Sequence, residues 1–290
     1  MSPFSSLTQL FNQFCRERQY VKNSAENTIL FYQQSFKAFR KYVGEDVQEV
    51  NKSILNSFVL AMRESGMKPS TCNVYIRGLN SFLAWLHENE FIAEVLKIKL
   101  LKTEQRIMKT FSDQQLKAIV SFKPKTFTEF RIHALLCLMI DTGVRVSEAL
   151  DLRREKIDFD NLLLTVRGKG NKERPVPMSL ELRKVIWKFS QQHSHALLFP
   201  NRDGGKLLYD NTRRDFRKLC HRLSLEGFDG SFHAFRRKFA KSYVRNGGNL
   251  FYLMKALGHT TLTMSKKYVE VETEELKETH IKTSLLSRLK

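Results

Sequence analysis

Leu162-Leu-Leu-Thr-Val-Arg-Gly168-Lys169-Gly170-Asn-Lys172-Glu-Arg174-Pro-Val-Pro177 reads as strand, turn and strand in a chain whose other apolar residues recur mostly at helical spacing. Leu162–Val166 and Arg174–Pro177 are the two short runs, and Gly168–Lys172 is the turn between them. A fold that is mostly α, with a small antiparallel β-sheet in its C-terminal part, follows from that contrast. Upstream, an apolar helix from about Glu129 carries Ile132, Leu135, Leu136 and Met139 and is stopped by Thr142-Gly143. Before it, Ser112-Asp-Gln-Gln115 has the form of a capping box opening a helix. Downstream, helices are expected at about 179–193, 210–224, 232–246, 249–257 and 272–288, the last ending in Leu285, Leu286 and Leu289.

The first ~105 residues read as four amphipathic helices. Phe4, Leu7, Leu10, Phe11 and Phe14 mark one stripe, and Ile29, Tyr32, Phe36, Phe39 and Tyr42 the next. Ile54, Leu55, Phe58, Val59 and Met62 mark the third, within about Asn51–Glu64. Pro69 and Ser70 open the fourth, with Val74, Leu79, Phe82 and Leu86 inward. The stretch from about Lys97 to Thr110 lacks amphipathic order and reads as a linker. The expected organisation is a helical domain over 1–100, a linker over 101–111 and a second domain over 112–290.

Charge separates these parts. Residues 1–105 hold 13 Lys and Arg against 10 Asp and Glu, whereas residues 106–290 hold 36 against 20, so most of the net +19 lies in the second domain. That asymmetry points to a polyanionic partner met mainly by the C-terminal part. Cys15, Cys72, Cys137 and Cys220 are far apart, without metal-ligand spacing, and suggest reduced thiols; Cys137 sits in an apolar run and is expected in the core. The longest apolar stretch, Ala134–Ile140, is too short to span a bilayer, and no secretory signal is evident at the N-terminus. A cytoplasmic protein is the expectation.

Six polar residues of the second domain make chemical sense together: Arg145, Lys169, His233, Arg236, His259 and Tyr268. Two guanidiniums can grip the non-bridging oxygens of one phosphate. Two imidazoles and an ammonium can move protons and neutralise developing charge. A tyrosine hydroxyl can attack phosphorus and hold the product as a covalent ester. No phosphate-cradling glycine loop and no carboxylate cluster for Mg²⁺ is visible, so cofactor-free transesterification is expected. Glu148 lies three residues after Arg145, on the same helical face, and reads as a surface salt bridge worth ~0–1 kcal/mol whose importance would be positional. Lys172 and Arg174 are nearby alternatives to Lys169 that read rather as contacts to a nucleic-acid backbone, as do Arg237, Lys266 and Lys267; the last two are also placed to lower the pKa of Tyr268.

Four strings occur in order: Thr142-Gly-Val-Arg145-Val-Ser-Glu148, Gly168-Lys169-Gly170-Asn-Lys-Glu-Arg174, His233-Ala-Phe-Arg236, and Leu257-Gly-His259 with Tyr268 nine residues later. In order and spacing they resemble the tyrosine recombinases, the Xer and phage-integrase family. The resemblance implies an N-terminal core-binding, SAM-like helical domain and a catalytic domain. It implies that Arg145 and Arg236 clamp the scissile phosphate, that Lys169 protonates the leaving 5′ oxygen, and that His259 donates to a non-bridging oxygen. Tyr268 would then form a 3′-phosphotyrosyl link without metal or ATP. It also implies a homotetramer on two double-stranded DNA sites, passing through a Holliday junction, with the C-terminal helix docked on a neighbour or packed in cis. An accessory or directionality protein, the DNA sequence and the biological task stay open. The family often places a histidine directly after the second arginine, where this chain has Arg237. Two other readings share these residues: a type IB topoisomerase, and a DNA-binding regulator with a vestigial site.

Overall fold

The computed structural model describes residues 6–45, 47, 49–104, 110–225, 231–258, 281 and 284. The chain divides into two compact units, Met1–Ile107 and Met108–Lys290.

In the first unit, α1 (Leu7–Arg16) starts at a capping box between Ser6 and Gln9 and runs on through a π-helical turn at Glu17–Val21. It packs on α2 (Glu26–Val43) and α4 (Pro69–Glu88), which also pack against α3 (Lys52–Glu64), the helix between them in sequence; α4 is opened by a proline in its first turn, where no backbone donor is lost. The inward stripes meet in an aromatic core of Phe11, Phe14, Phe36, Phe39, Phe58, Phe82 and Trp85. Leu96–Leu101 departs from the linker expected from Lys97. Leu96 and Ile98 are buried in this core, and Asn80 and Asn73 clamp the backbones of Ile98 and Leu101 at 2.8–2.9 Å, each side chain both donating and accepting. Two amide side chains facing bare backbone replace the missing amphipathic signal.

The second unit is built around α6 (Phe127–Thr142), whose residues Arg131–Met139 are all buried. Before it, α5 (Asp113–Val120) begins at the Ser112–Gln115 capping box that its sequence announces. Gly143 ends α6 in the left-handed region at φ +63°, and a Cβ there would meet the Phe239 ring at 2.4 Å, so only glycine fits. The chain turns straight into a short helix, α7 (Val146–Leu150). A three-stranded antiparallel sheet follows: β1 (Ile157–Asp158), β2 (Leu163–Arg167) and β3 (Glu173–Pro177), in that order. Leu164 pairs with Val176 and Val166 with Arg174, so the inward face carries Leu164, Val166 and Val176. β1 has no sequence signal, being two residues long. Helices α8 (Leu180–Ser190), α9 (Tyr209–Arg222), α10 (His233–Arg245) and α11 (Leu250–Leu257) complete the described unit.

The helix expected at about 272–288 lies outside the described residues, apart from Ile281 and Ser284. Cys137 is in the core as expected, and burial pushes its thiol up to about 12. All four cysteines are unpaired thiols. Among the described residues no helix is long and apolar enough to cross a membrane.

Candidate active site

The loop that Gly143 releases from α6 places Arg145 at the N-cap of α7. Its backbone N–H donates to Glu148 Oε2 at 2.8 Å and its Nη1 to Oε1 at 2.7 Å. Arg174, on β3, approaches the same carboxylate from the other side, with Nη1 to Oε1 at 3.0 Å and Nη2 to Oε2 at 2.9 Å. Its Nε donates to the carbonyl of Ala256, near the end of α11, at 2.8 Å. Four hydrogen bonds thus converge on one carboxylate, the acceptor capacity of an ionised Glu.

This corrects the sequence expectation for Glu148. Its side chain is 3 % exposed, so it is a buried ion pair and not a surface one. Burial alone would raise its pKa. The hydrogen bonds and charges of Arg174 and Arg145 outweigh that and hold it below the ordinary carboxylate range. Arg174, expected on the DNA backbone, is also turned inward: its side chain is 12 % exposed and each of its guanidinium nitrogens donates within the protein. Strand period offered a signal for this. Arg174 and Val176 share a face of β3, and Val176 is buried. A cation on an inward face requires a partner.

Arg236 is buried on α10, where its Nη1 donates to Gly143 O at 2.9 Å and its Nη2 to Leu257 O at 2.5 Å. The last two carbonyls of α11, Ala256 and Leu257, are therefore each held by a different arginine, where helix-terminal carbonyls need outside donors. His233 starts α10 and keeps an exposed face. Reduced hydration around its ring, then the positive charges of Arg236, Arg237 and Arg145, push its imidazole below the ordinary histidine value. The structure thus brings Arg145, Glu148, Arg174, His233, Arg236 and Arg237 into one neighbourhood, with Arg145, 32 % exposed, the more open of the two expected clamp arginines.

Lys169 lies in the 3₁₀ turn Lys169–Asn171 between β2 and β3, and Lys172 is exposed at its end. Gly258 caps α11 at φ +63° and is the last described residue before His259. His259, Lys266, Lys267 and Tyr268 lie outside the described residues. Among the described residues no group of three or more His, Cys, Asp or Glu is placed to hold a metal ion.

The phage integrase family model matches residues 109–275, and that of the phage integrase N-terminal SAM-like domain matches residues 11–90. The chain belongs to the phage integrase family. Similar proteins run along almost its whole length. The tyrosine recombinase XerD of Vibrio cholerae is 27 % identical over 93 % of this chain and 94 % of that protein. The tyrosine recombinase XerC of Listeria monocytogenes is 25 % identical over 94 % of this chain and 97 % of that protein. By this kinship the chain is a site-specific tyrosine recombinase, and neither a topoisomerase nor a vestigial regulator is favoured. The fold is shared with the Tn1549 transposon integrase solved with circular-intermediate DNA (TM-score 0.77, 18 % identity, 95 % of this chain and 99 % of that chain). It is shared too with the XerH recombinase bound to its difH substrate (TM-score 0.71, 18 % identity, 94 % and 83 %).

Proposed function

We propose that this recombinase cuts and rejoins double-stranded DNA through Tyr268, with Arg145, Lys169, His233, Arg236 and His259 as the groups that touch the reacting phosphate. The observation that supports the reading is that Arg236 holds the Gly143 carbonyl beside the loop that bears Arg145, while the charges of both arginines bear on His233. Arg145 grips one non-bridging oxygen and Arg236, which braces the Gly143 loop and the end of α11, grips the other. His233 is held neutral near pH 7 and so can accept the phenol proton as the Tyr268 oxygen bonds to phosphorus. The bond from phosphorus to the 5′ oxygen breaks, and the Lys169 ammonium supplies the proton that the leaving oxygen needs. The partner strand's 5′ hydroxyl then attacks the phosphotyrosyl link and displaces Tyr268, so the number of phosphodiesters is conserved and no ATP is consumed. His259 and Tyr268 rest on the motif spacing, with Gly258 leading directly into them.

DNA is the partner the charge supports, since the second unit carries most of the net +19. Lys172, Arg237, Lys266 and Lys267 hold the backbone, and the SAM-like unit grips the duplex as the core-binding domain. A homotetramer on two sites, working in a bacterial cytoplasm, completes the reading. Incubating the full chain with a nicked suicide duplex tests it: wild type is expected to give an SDS-resistant covalent adduct. Tyr268→Phe is expected to bind the duplex equally well and give none. A Phe variant that still forms the adduct moves the nucleophile elsewhere.

A further inference from the structure

We propose that Arg174 is a positioning residue for strand cleavage, acting through Glu148 on Arg145 and through the Ala256 carbonyl on the end of α11, and that it makes no DNA contact. The inference rests on the functional reading above and deepens it. It begins from geometry. Arg174 uses all three guanidinium nitrogens inward: two on the Glu148 carboxylate at 3.0 and 2.9 Å, and Nε on Ala256 O at 2.8 Å. Glu148 in turn takes the Arg145 backbone N–H and Nη1 at 2.8 and 2.7 Å, so the orientation of Arg145 is set by a carboxylate that Arg174 holds from behind.

Three pieces of the site meet at this one side chain. Arg174 is itself on β3, the strand that the Lys169 turn leads into. Glu148 carries the link to Arg145, and Ala256 lies three residues before His259. Gly258 closes over the group: a Cβ there would stand 3.2 Å from Arg174 Cζ. A planar fork can bond a carboxylate bidentately and still present Nε to a carbonyl at its side. A lysine ammonium is a point donor and cannot span both, although it keeps the charge. That difference makes the inference testable. A DNA-backbone role needs the charge alone, whereas a positioning role needs the fork.

Wild type, Arg174→Lys and Arg174→Gln are compared as full chains on the suicide duplex. The readouts are single-turnover cleavage at saturating DNA, affinity across a salt series, and thermal unfolding. Both variants are expected to cleave at least tenfold more slowly, since displacing a reacting group by about 1 Å commonly costs on the order of 10²-fold. Their affinity is expected to stay within about twofold of wild type with an unchanged salt slope. In an Arg145→Lys background, Arg174→Lys is expected to cost much less, because the group it positions is already displaced; a general loss of rigidity would multiply instead.

Wild-type cleavage rates in Arg174→Lys overturn the inference. So does a log–log salt slope reduced by about 0.9 in Arg174→Gln, the signature of one lost phosphate contact, and so does full multiplicativity with Arg145→Lys. If the Gln variant does not fold, the Lys variant, which leaves no uncompensated Glu148, decides alone. Absence of any wild-type adduct overturns the functional reading and the inference with it. A normal wild-type adduct beside a fast Arg174→Lys overturns the inference only.

Discussion

Glu148→Gln replaces one carboxylate oxygen by an amide nitrogen and leaves the side chain's size unchanged. In the native protein that carboxylate is 3 % exposed and accepts four hydrogen bonds of 2.7–3.0 Å from Arg145 and Arg174. The new NH₂ group would face guanidinium donors, and two positive charges would lose their counter-charge. Breaking a buried pair by removing one partner costs about 3–5 kcal/mol, against ~0–1 kcal/mol for an exposed pair. For a unit of this size each kcal/mol moves the melting temperature by roughly 2–4 °C, so a fall of about 6–20 °C is expected. The pH dependence has a defined sign. The folded-state pKa of Glu148 lies below its ordinary value of 4.5, so its stabilisation is complete above that value and is lost as pH falls through the folded pKa. The gap between wild type and Glu148→Gln should therefore be constant from near-neutral pH down to the ordinary carboxylate range and close only below it. Thermal unfolding of both proteins across that range measures this. A gap under about 4 °C at neutral pH would return Glu148 to the surface-pair class and refute the argument from burial.

The sequence made the local devices legible and hid the long-range ones. The Ser112–Gln115 capping box, the Thr142-Gly143 stop and the β2–β3 hairpin each depend on residues within a few positions of one another, and each is where its string indicates. The same locality brought out Arg145 and the His233-x-x-Arg236 pair. The burial of Glu148 is not legible, because a five-residue helix carries too little periodicity to tell its inner face from its outer one. Its partner Arg174 lies 26 positions away, and no spacing rule joins the two. The buried Arg131–Asp215 pair, 84 positions apart at 3.0 Å, was hidden for the same reason. In each case a charge enters the interior only because a distant segment supplies its opposite, and the distance along the chain removes the signal.

Two further outcomes are expected from the same geometry. Gly258→Ala and Gly247→Ala both force alanine into the left-handed region, at φ +63° and +79°, at about 1–2 kcal/mol each, but only at Gly258 does the added methyl press on Arg174. Comparable melting losses are therefore expected, with slowed adduct formation in Gly258→Ala alone; equal cleavage by the two would show that the Arg174 guanidinium tolerates the shift. The other outcome concerns His233, whose pKa is lowered from 6.5 first by reduced hydration and then by Arg236, Arg237 and Arg145. A histidine depressed in the folded state is protonated first in the unfolded chain, so acidification through 6.5 costs stability until the folded pKa is passed. Over that same interval the native imidazole stays neutral and able to accept the Tyr268 proton, so single-turnover cleavage should hold its plateau below pH 6.5 before it falls. Arg237→Gln removes one of the three charges and should move that acid limb to higher pH, whereas Lys172→Gln, on the exposed turn, should leave it in place. An acid limb that stays fixed in Arg237→Gln would mean that cleavage is not governed by a proton on His233, and the proton acceptor for Tyr268 would have to be sought among other groups.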